Sequence, residues 1–343
     1  MESLLYKHLE SVGSGRMPRP VFMELWRRYE NNARANLIRT RELLRVLGLF
    51  SAQGILALPY KGPALAEQLY GSIALREFED LDILVRFSDV LRAKSVLLAE
   101  GYQPDYPLRP AVEGAFLRSR AQYHRVLVHA STGVKVELHW KTDPDFPVER
   151  GDDEGWWASR FTMPLLDGSI RCFSREELLM VLCLHGTRHQ GYRLGWLIEI
   201  TEVIGQGSLD WIKIVAMAHH QGCTRRLAVP LLLANRLLAA CIPPEVDQLI
   251  RADPTIADLA ARIASRLFTR NAGELRGLDR LRVSLQFYDR MQHRMNHIVD
   301  VSLAPSLNEW SRWPLPRPLF VLYPPLRLWR LAAKYGSAVV GRN

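Results

Sequence analysis

The chain has 343 residues, 48% hydrophobic and 24% charged, which excludes disorder of the whole chain and fits about two domains. Its most apolar run, 227–241, is interrupted by Asn235 and Arg236 and falls short of the ~20 residues a membrane-spanning helix needs. The net charge is +9 and is concentrated late in the chain: 276–343 carries eleven Lys/Arg against four Asp/Glu, a field that favours an anionic partner such as nucleic acid or another polyanion.

The first 20 residues are expected as an N-terminal extension; they lack a basic segment followed by an apolar core, so no signal peptide is read there. From 21 to 48, Phe22, Leu25, Trp26, Tyr29, Ala33, Leu37 and Leu44 recur at helical spacing. A short buried strand at 55–58 stops at Pro59-Tyr60-Lys61-Gly62, and Pro63 opens a helix, a position where proline is tolerated. A second strand follows at 81–85, then a helix at 89–100 with Ser88 as its cap and Gly101 as its stop. Alternation predicts a hairpin of 122–129 with 134–140, and Asp167-Gly168 a smaller one at 165–173.

After residue 173 the texture becomes helical. Ser174-Arg175-Glu176-Glu177 reads as a capping box, and helices are expected at 175–190, 193–204, 210–221, 224–240, 255–269 and 278–299. The tail 301–343 is rich in proline, aromatic and basic residues and is expected to wrap over the surface, Pro324-Pro325 arguing against one continuous helix. The division is therefore a mixed α/β core over 21–173, a helical domain over 174–300 and the tail. Four cysteines without a C-x-x-C pair read as reduced thiols in a cytoplasmic protein.

The chemistry-bearing segment is Asp80-Leu81-Asp82. Residues i and i+2 of a strand share a face, so both carboxylates project together from an otherwise apolar strand. Ionised carboxylates this close repel, and a divalent cation relieves the conflict. In Val134-Lys135-Val136-Glu137-Leu138-His139, alternation sets Lys135, Glu137 and His139 on the face opposite the core. If this strand lies beside 81–85, Glu137 completes an Asp/Asp/Glu triad able to hold two metal ions ~3.5–4 Å apart for in-line phosphoryl displacement.

A strand ending in Lys61-Gly62, a helix with Tyr70 near its end, then Arg76-x-x-x-Asp80-x-Asp82 resembles the uncharacterised nucleotidyltransferase family of the DNA polymerase β-like superfamily. A similar layout occurs in the abortive-infection toxin nucleotidyltransferases. The resemblance continues at Glu137-Leu138-His139-Trp140, at Leu184-His185-Gly186-Thr187-Arg188-His189, and in the tail at Leu315-Pro316-Arg317-Pro318. It implies an α+β fold: a polymerase β-like core, with a small mixed sheet and flanking helices, followed by an all-helical C-terminal domain. It also implies Mg²⁺-dependent transfer of a nucleoside monophosphate from an NTP such as ATP to an acceptor hydroxyl, with two Mg²⁺ ions, or Mn²⁺ in their place. Asp80, Asp82 and Glu137 would be the catalytic metal ligands, and Glu137 would also take the acceptor proton. Gly62 would let the backbone approach the triphosphate, with Lys61 and Arg76 on its phosphates. The acceptor is open between tRNA, a small molecule and a peptide.

Pro63 and Glu79 depart from the superfamily's usual pattern and motivate a second reading, a catalytically weakened nucleotide- or RNA-binding protein that retains the fold. A D-x-D glycosyltransferase is a third, but it leaves Glu137 unexplained. His185 and His189, at i and i+4, lack the H-E-x-x-H pattern of a zinc protease and read as polar contacts to nucleotide or acceptor. Arg276/Arg280 and Arg290/Arg294 are expected to form a basic stripe along one helix, beside His293 and His297.

Overall fold

The computed structural model describes residues 1–13, 17–149, 151, 153–158, 160–189, 193–269, 275 and 277–340. Two compact units emerge, and they are interleaved along the chain: Met1–Asp105, His124–Lys141 and Glu149–Ser174 form the first, and Tyr106–Tyr123, Thr142–Val148 and Arg175–Asn343 the second.

The first unit opens with α1 (Glu2–Val12), which stands where only an extension is expected. The 34-residue α2 (Arg19–Ala52) follows, with Pro20 in its first turn. Its buried Asn36, Thr40, Leu43, Val46 and Phe50 recur every three to four residues. β1 (Ala57–Pro59) leads into α3 (Gly62–Tyr70), which ends on the left-handed Gly71. β2 (Asp80–Val85) and α4 (Val90–Ala99) come next. Ser88 does not cap α4: a 3₁₀ turn, Phe87–Asp89, carries the chain into it and puts Asp89 at the cap position. β3 (Tyr102–Pro104) ends this stretch, and α5 (Pro110–Arg118) belongs to the second unit.

β4 (His124–His129) and β5 (Lys135–His139) are the expected hairpin. They complete a five-stranded mixed sheet of order β1-β2-β5-β4-β3 in which only β2 and β5 run parallel. α2 packs against β1 and β2, α3 against β2, and α4 against β3 and β5. β2 lies in the middle of this packing, and Leu81 to Val85 are accordingly buried without a break. The short α6 (Glu154–Ala158) precedes β6 (Phe161–Leu165) and β7 (Gly168–Cys172), an antiparallel pair whose turn contains Asp167.

The rest of the second unit is helical: α7 (Arg175–Arg188), α8 (Leu194–Gly205), α9 (Trp211–Gln221), α10 (Thr224–Leu238), α11 (Pro244–Ala252), α12 (Pro254–Leu267), α13 (Gly277–Gln286), α14 (Met291–Leu303), α15 (Leu307–Arg312) and α16 (Tyr323–Val340). α7 is buried almost all round from Glu177 to Leu184, and α10 packs against α7, α8 and α12. Leu197, Val229, Leu233, Ile256, Leu259 and Phe287 meet in a core shared by α8, α10 and α12. Inside the unit, Arg226 forks onto Asp143, with Nη1–Oδ1 at 3.1 Å and Nη2–Oδ2 at 2.7 Å.

The single helix expected over 278–299 is two. Phe287 and Tyr288 turn into the interior between α13 and α14, and Asp289 accepts the backbone N–H groups of Thr224 and Arg225 (2.6 and 3.1 Å), capping α10. Arg280 and the Arg290/Arg294 pair therefore sit on different segments, so the continuous basic stripe does not form; Arg276 lies outside the described residues. In the tail, Pro324 and Pro325 begin α16, because the first turn of a helix needs no backbone donors. The fold class is the expected one: α+β, with a mixed five-stranded sheet and helices, then an all-helical C-terminal region.

Candidate functional site

β2 and β5 pair in parallel with Asp80 opposite Lys135, Asp82 opposite Glu137 and Leu84 opposite His139. Cross-strand partners share a face, so Asp82 and Glu137, distant in sequence, stand side by side. His139 lies one step further along β5 and is 1% exposed. Its Nε2 is 3.1 Å from Oδ1 of Asp82 and 3.2 Å from Oε2 of Glu137, so one N–H serves two carboxylates. The potential ligand atoms of Asp82, Glu137 and His139 all lie within 4.8 Å of one another, a group able to hold a metal ion.

Lys61 enters from the start of α3, and its Nζ donates to Oδ1 of Asp82 at 2.9 Å. Gly62 follows with φ +54°, and a Cβ built there would stand 3.0 Å from the carbonyl oxygen of Asp80. Only glycine meets both demands, a left-handed backbone and this close approach. Three rings meet at the site. His124 stacks on His139 with centroids 5.0 Å apart, and its Nε2 is 3.9 Å from Oε2 of Glu137. Tyr60 meets His139 edge-on at 5.3 Å and lies under the Lys61 ammonium.

Arg76 lies on the loop between α3 and β2, and α2 fixes that loop. The Asn36 amide donates to the carbonyls of Ile73 and Arg76, both at 2.7 Å, and Asn32 donates to those of Ala74 and Arg76 at 2.8 and 3.2 Å. The loop's exit is therefore pinned four residues before Asp80.

The carboxyls respond to this setting in opposite ways. Burial, then the charges of Asp82 and Glu137, push Asp80 up to about 6, against the pull of Lys61 and Arg76. Burial also raises Asp82, but the Lys61 charge and the hydrogen bond from His139 overcome it and hold Asp82 well below the usual carboxylate range. Glu137 is lowered as well: burial opposes the shift, and His139 supplies the leading favourable contribution.

Lys61, Asp82 and Glu137 thus come together, with Gly62 against the Asp80 backbone and Asp80 within electrostatic reach of both other acids. His139, not Asp80, joins Asp82 and Glu137 in the group able to hold a metal; alternation places it on the Glu137 face without assigning it a role, and its i+2 spacing from Glu137 is the available signal. Asn32 and Asn36 carry no such signal, since an asparagine in a long helix names no partner. His185 and His189 belong to the second unit, where their rings pack together at 4.7 Å and both meet Trp196.

No curated protein matches the chain. A crystal structure of an antigenic nucleotidyltransferase-like protein from Paracoccidioides brasiliensis is similar at 13% identity, covering 66% of this chain and 92% of that one, with a TM-score of 0.34. The family described as uncharacterised nucleotidyltransferase matches residues 1–239, more than half of the length, and the chain belongs to that family.

Proposed function

We propose that the protein transfers a nucleoside monophosphate from an NTP to an acceptor hydroxyl. The acceptor oxygen forms a bond to the α-phosphorus, the bond from that phosphorus to the bridging oxygen breaks, and pyrophosphate leaves with the electron pair. The observation that carries this reading is the register of β2 and β5, which sets Asp82 beside Glu137 with Lys61 on the same carboxylate. Family membership agrees with it.

The donor set fits a divalent cation. Asp80 and Asp82 share a face, Glu137 adds a third charge, and Asp80 is raised by burial first and then by the charges of the other two. Asp80, Asp82 and Glu137 would hold Mg²⁺, or Mn²⁺, with His139 steadying two of the three. Bound there, the metal supplies charge neutralisation at the phosphates and a lowered pKa for the attacking hydroxyl. Lys61 and Arg76 contribute positive charge for the triphosphate oxygens, and Gly62 opens a path for the backbone to approach them. Glu137, one-quarter exposed, accepts the acceptor proton, and His124 beside it offers the proton a route outward. His185 and His189 are proposed as contacts to the nucleotide or the acceptor.

The test incubates full-length protein with each labelled NTP, Mg²⁺ and a cell extract, and follows pyrophosphate release and the labelled product. Asp82→Ala should reduce release to background; equal turnover in this variant would remove the assignment. A second reading, a nucleotide- or RNA-binding protein that has lost catalysis, is favoured by one observation: Lys61 and His139 both occupy Oδ1 of Asp82. Nucleotide binding that persists in EDTA, with no product from any acceptor, would select it.

A further inference from the structure

The second unit contains a chamber of about 310 Å³, bounded by residues of that unit alone. This is far more room than a buried water needs and reaches the lower end of small-molecule sites. Its apolar walls include Pro144, Phe287, Val301 and Ala304.

Of the arginines that line it, two are neutralised. Arg226 forks onto Asp143 and also donates to Thr187 Oγ1 and the Leu184 carbonyl. Arg327 donates to the buried Glu309 and to the Val301 carbonyl. Arg188 differs. Its guanidinium lies over the Tyr123 ring at 4.3 Å, and Nη2 donates to Nδ1 of His185 at 3.2 Å. Its Nη1 is buried and meets no acceptor among the described residues. Asp143 feels the Arg188 charge, but its oxygens already take the Arg226 fork and the backbone N–H groups of Asp145 and Phe146.

The two acids on the lining are also engaged. Asp145 accepts from the Tyr288 hydroxyl at 2.6 Å, and Asp300 faces Arg120 at 3.8 Å. A buried guanidinium N–H without an acceptor is unfavourable, and the planar fork suits a carboxylate or phosphate.

We infer that this chamber is a binding site for a small organic anion, a carboxylate or phosphate on an apolar or aromatic body, anchored by Arg188 against the Tyr123 ring. The site rests on Arg188 and the walls of this chamber, not on the Asp82 and Glu137 carboxylates, and it shares His185, the partner of Arg188, with the contacts proposed for nucleotide or acceptor.

Calorimetric titration of the full-length protein in EDTA tests it with two anions and their neutral counterparts: phenyl phosphate against phenol, and phenylacetate against phenylacetamide. At least one anion should bind, its neutral counterpart at least tenfold more weakly, and the pair that shows this identifies phosphate or carboxylate as the preferred group. Arg188→Met should lose that binding while Asp82→Asn keeps it. If Arg188→Met does not fold, Ala304→Phe, which fills the chamber and leaves the guanidinium in place, must abolish binding instead. Absence of binding by both anions, survival in the variant that tests the chamber, or loss in Asp82→Asn overturns the inference.

Discussion

Asp80 and Asp82 stand two residues apart on one strand, yet the protein treats them as opposites. Asp82 is locked as an anion by Lys61 and His139, whereas Asp80 is raised to about 6 by burial first and then by the two neighbouring carboxylates. For Asp80 the folded value exceeds the unfolded one, so the folded state binds more protons between about pH 4 and 6. Its contribution to stability is present at low pH and is lost as pH rises through 6. Asp82 behaves in reverse: its contribution is present above the unfolded value and is lost only in stronger acid. In EDTA at pH 7.5, Asp80→Asn should therefore melt above the wild type. Asp82→Ala, which strips Lys61 and His139 of their shared acceptor, should be destabilised by about 1–3 kcal/mol. Mn²⁺ affinity should fall as pH drops through 6, because protons compete for Asp80. Chemical denaturation and Mn²⁺ titration check these expectations, and an Asp80→Asn variant less stable than the wild type would contradict them.

At the scale of the element, the site depends on which strands pair and on what holds the segments leading into them. The D-x-D pattern and the alternation of 134–140 make both carboxylate faces legible in the sequence, because a two-residue period fixes side chains to faces. The parallel pairing that joins those faces is not legible there, since nothing in either strand names its neighbour. The break between α13 and α14 is hidden for a different reason: the periodicity of 278–299 runs on through it, and Asp289 acquires its capping role only from Thr224, far upstream. Likewise, Asn32 and Asn36 mean nothing until the loop before β2 arrives to use them. Asn36→Ala should free the Ile73 and Arg76 carbonyls and let the loop drift. The expected result is a loss of about 1–3 kcal/mol in stability and a fall in pyrophosphate release of about 10–100-fold. A variant with full activity would show that the loop holds its place without the amide.

On the scale of the whole molecule, the chain passes between its two units five times, at 105/106, 123/124, 141/142, 148/149 and 174/175. The last of these passages, at 174/175, falls where strand patterning gives way to helical spacing. The earlier ones leave no compositional trace, because 106–123 and 142–148 are short and read as connectors. A fragment ending at Ser174 would carry both segments without the helices they belong to, with Val112, Phe116 and Phe146 deprived of their burial. Such a fragment should be cleaved rapidly within 106–123 and 142–148 under limited proteolysis. Resistance in both segments, together with a cooperative melt, would mean that the first unit is self-sufficient.

The interleaving also sets a schedule for biosynthesis. At roughly 5–20 residues per second, the segment 106–123 emerges from the ribosome about 10–40 s before α16 has been made. Throughout that interval a stretch containing Val112 and Phe116 waits for neighbours that do not yet exist, while the strands on either side of it can already close into a sheet. Until the helices of the second unit have followed it out of the ribosome, the nascent polypeptide must keep this loop from sticking elsewhere.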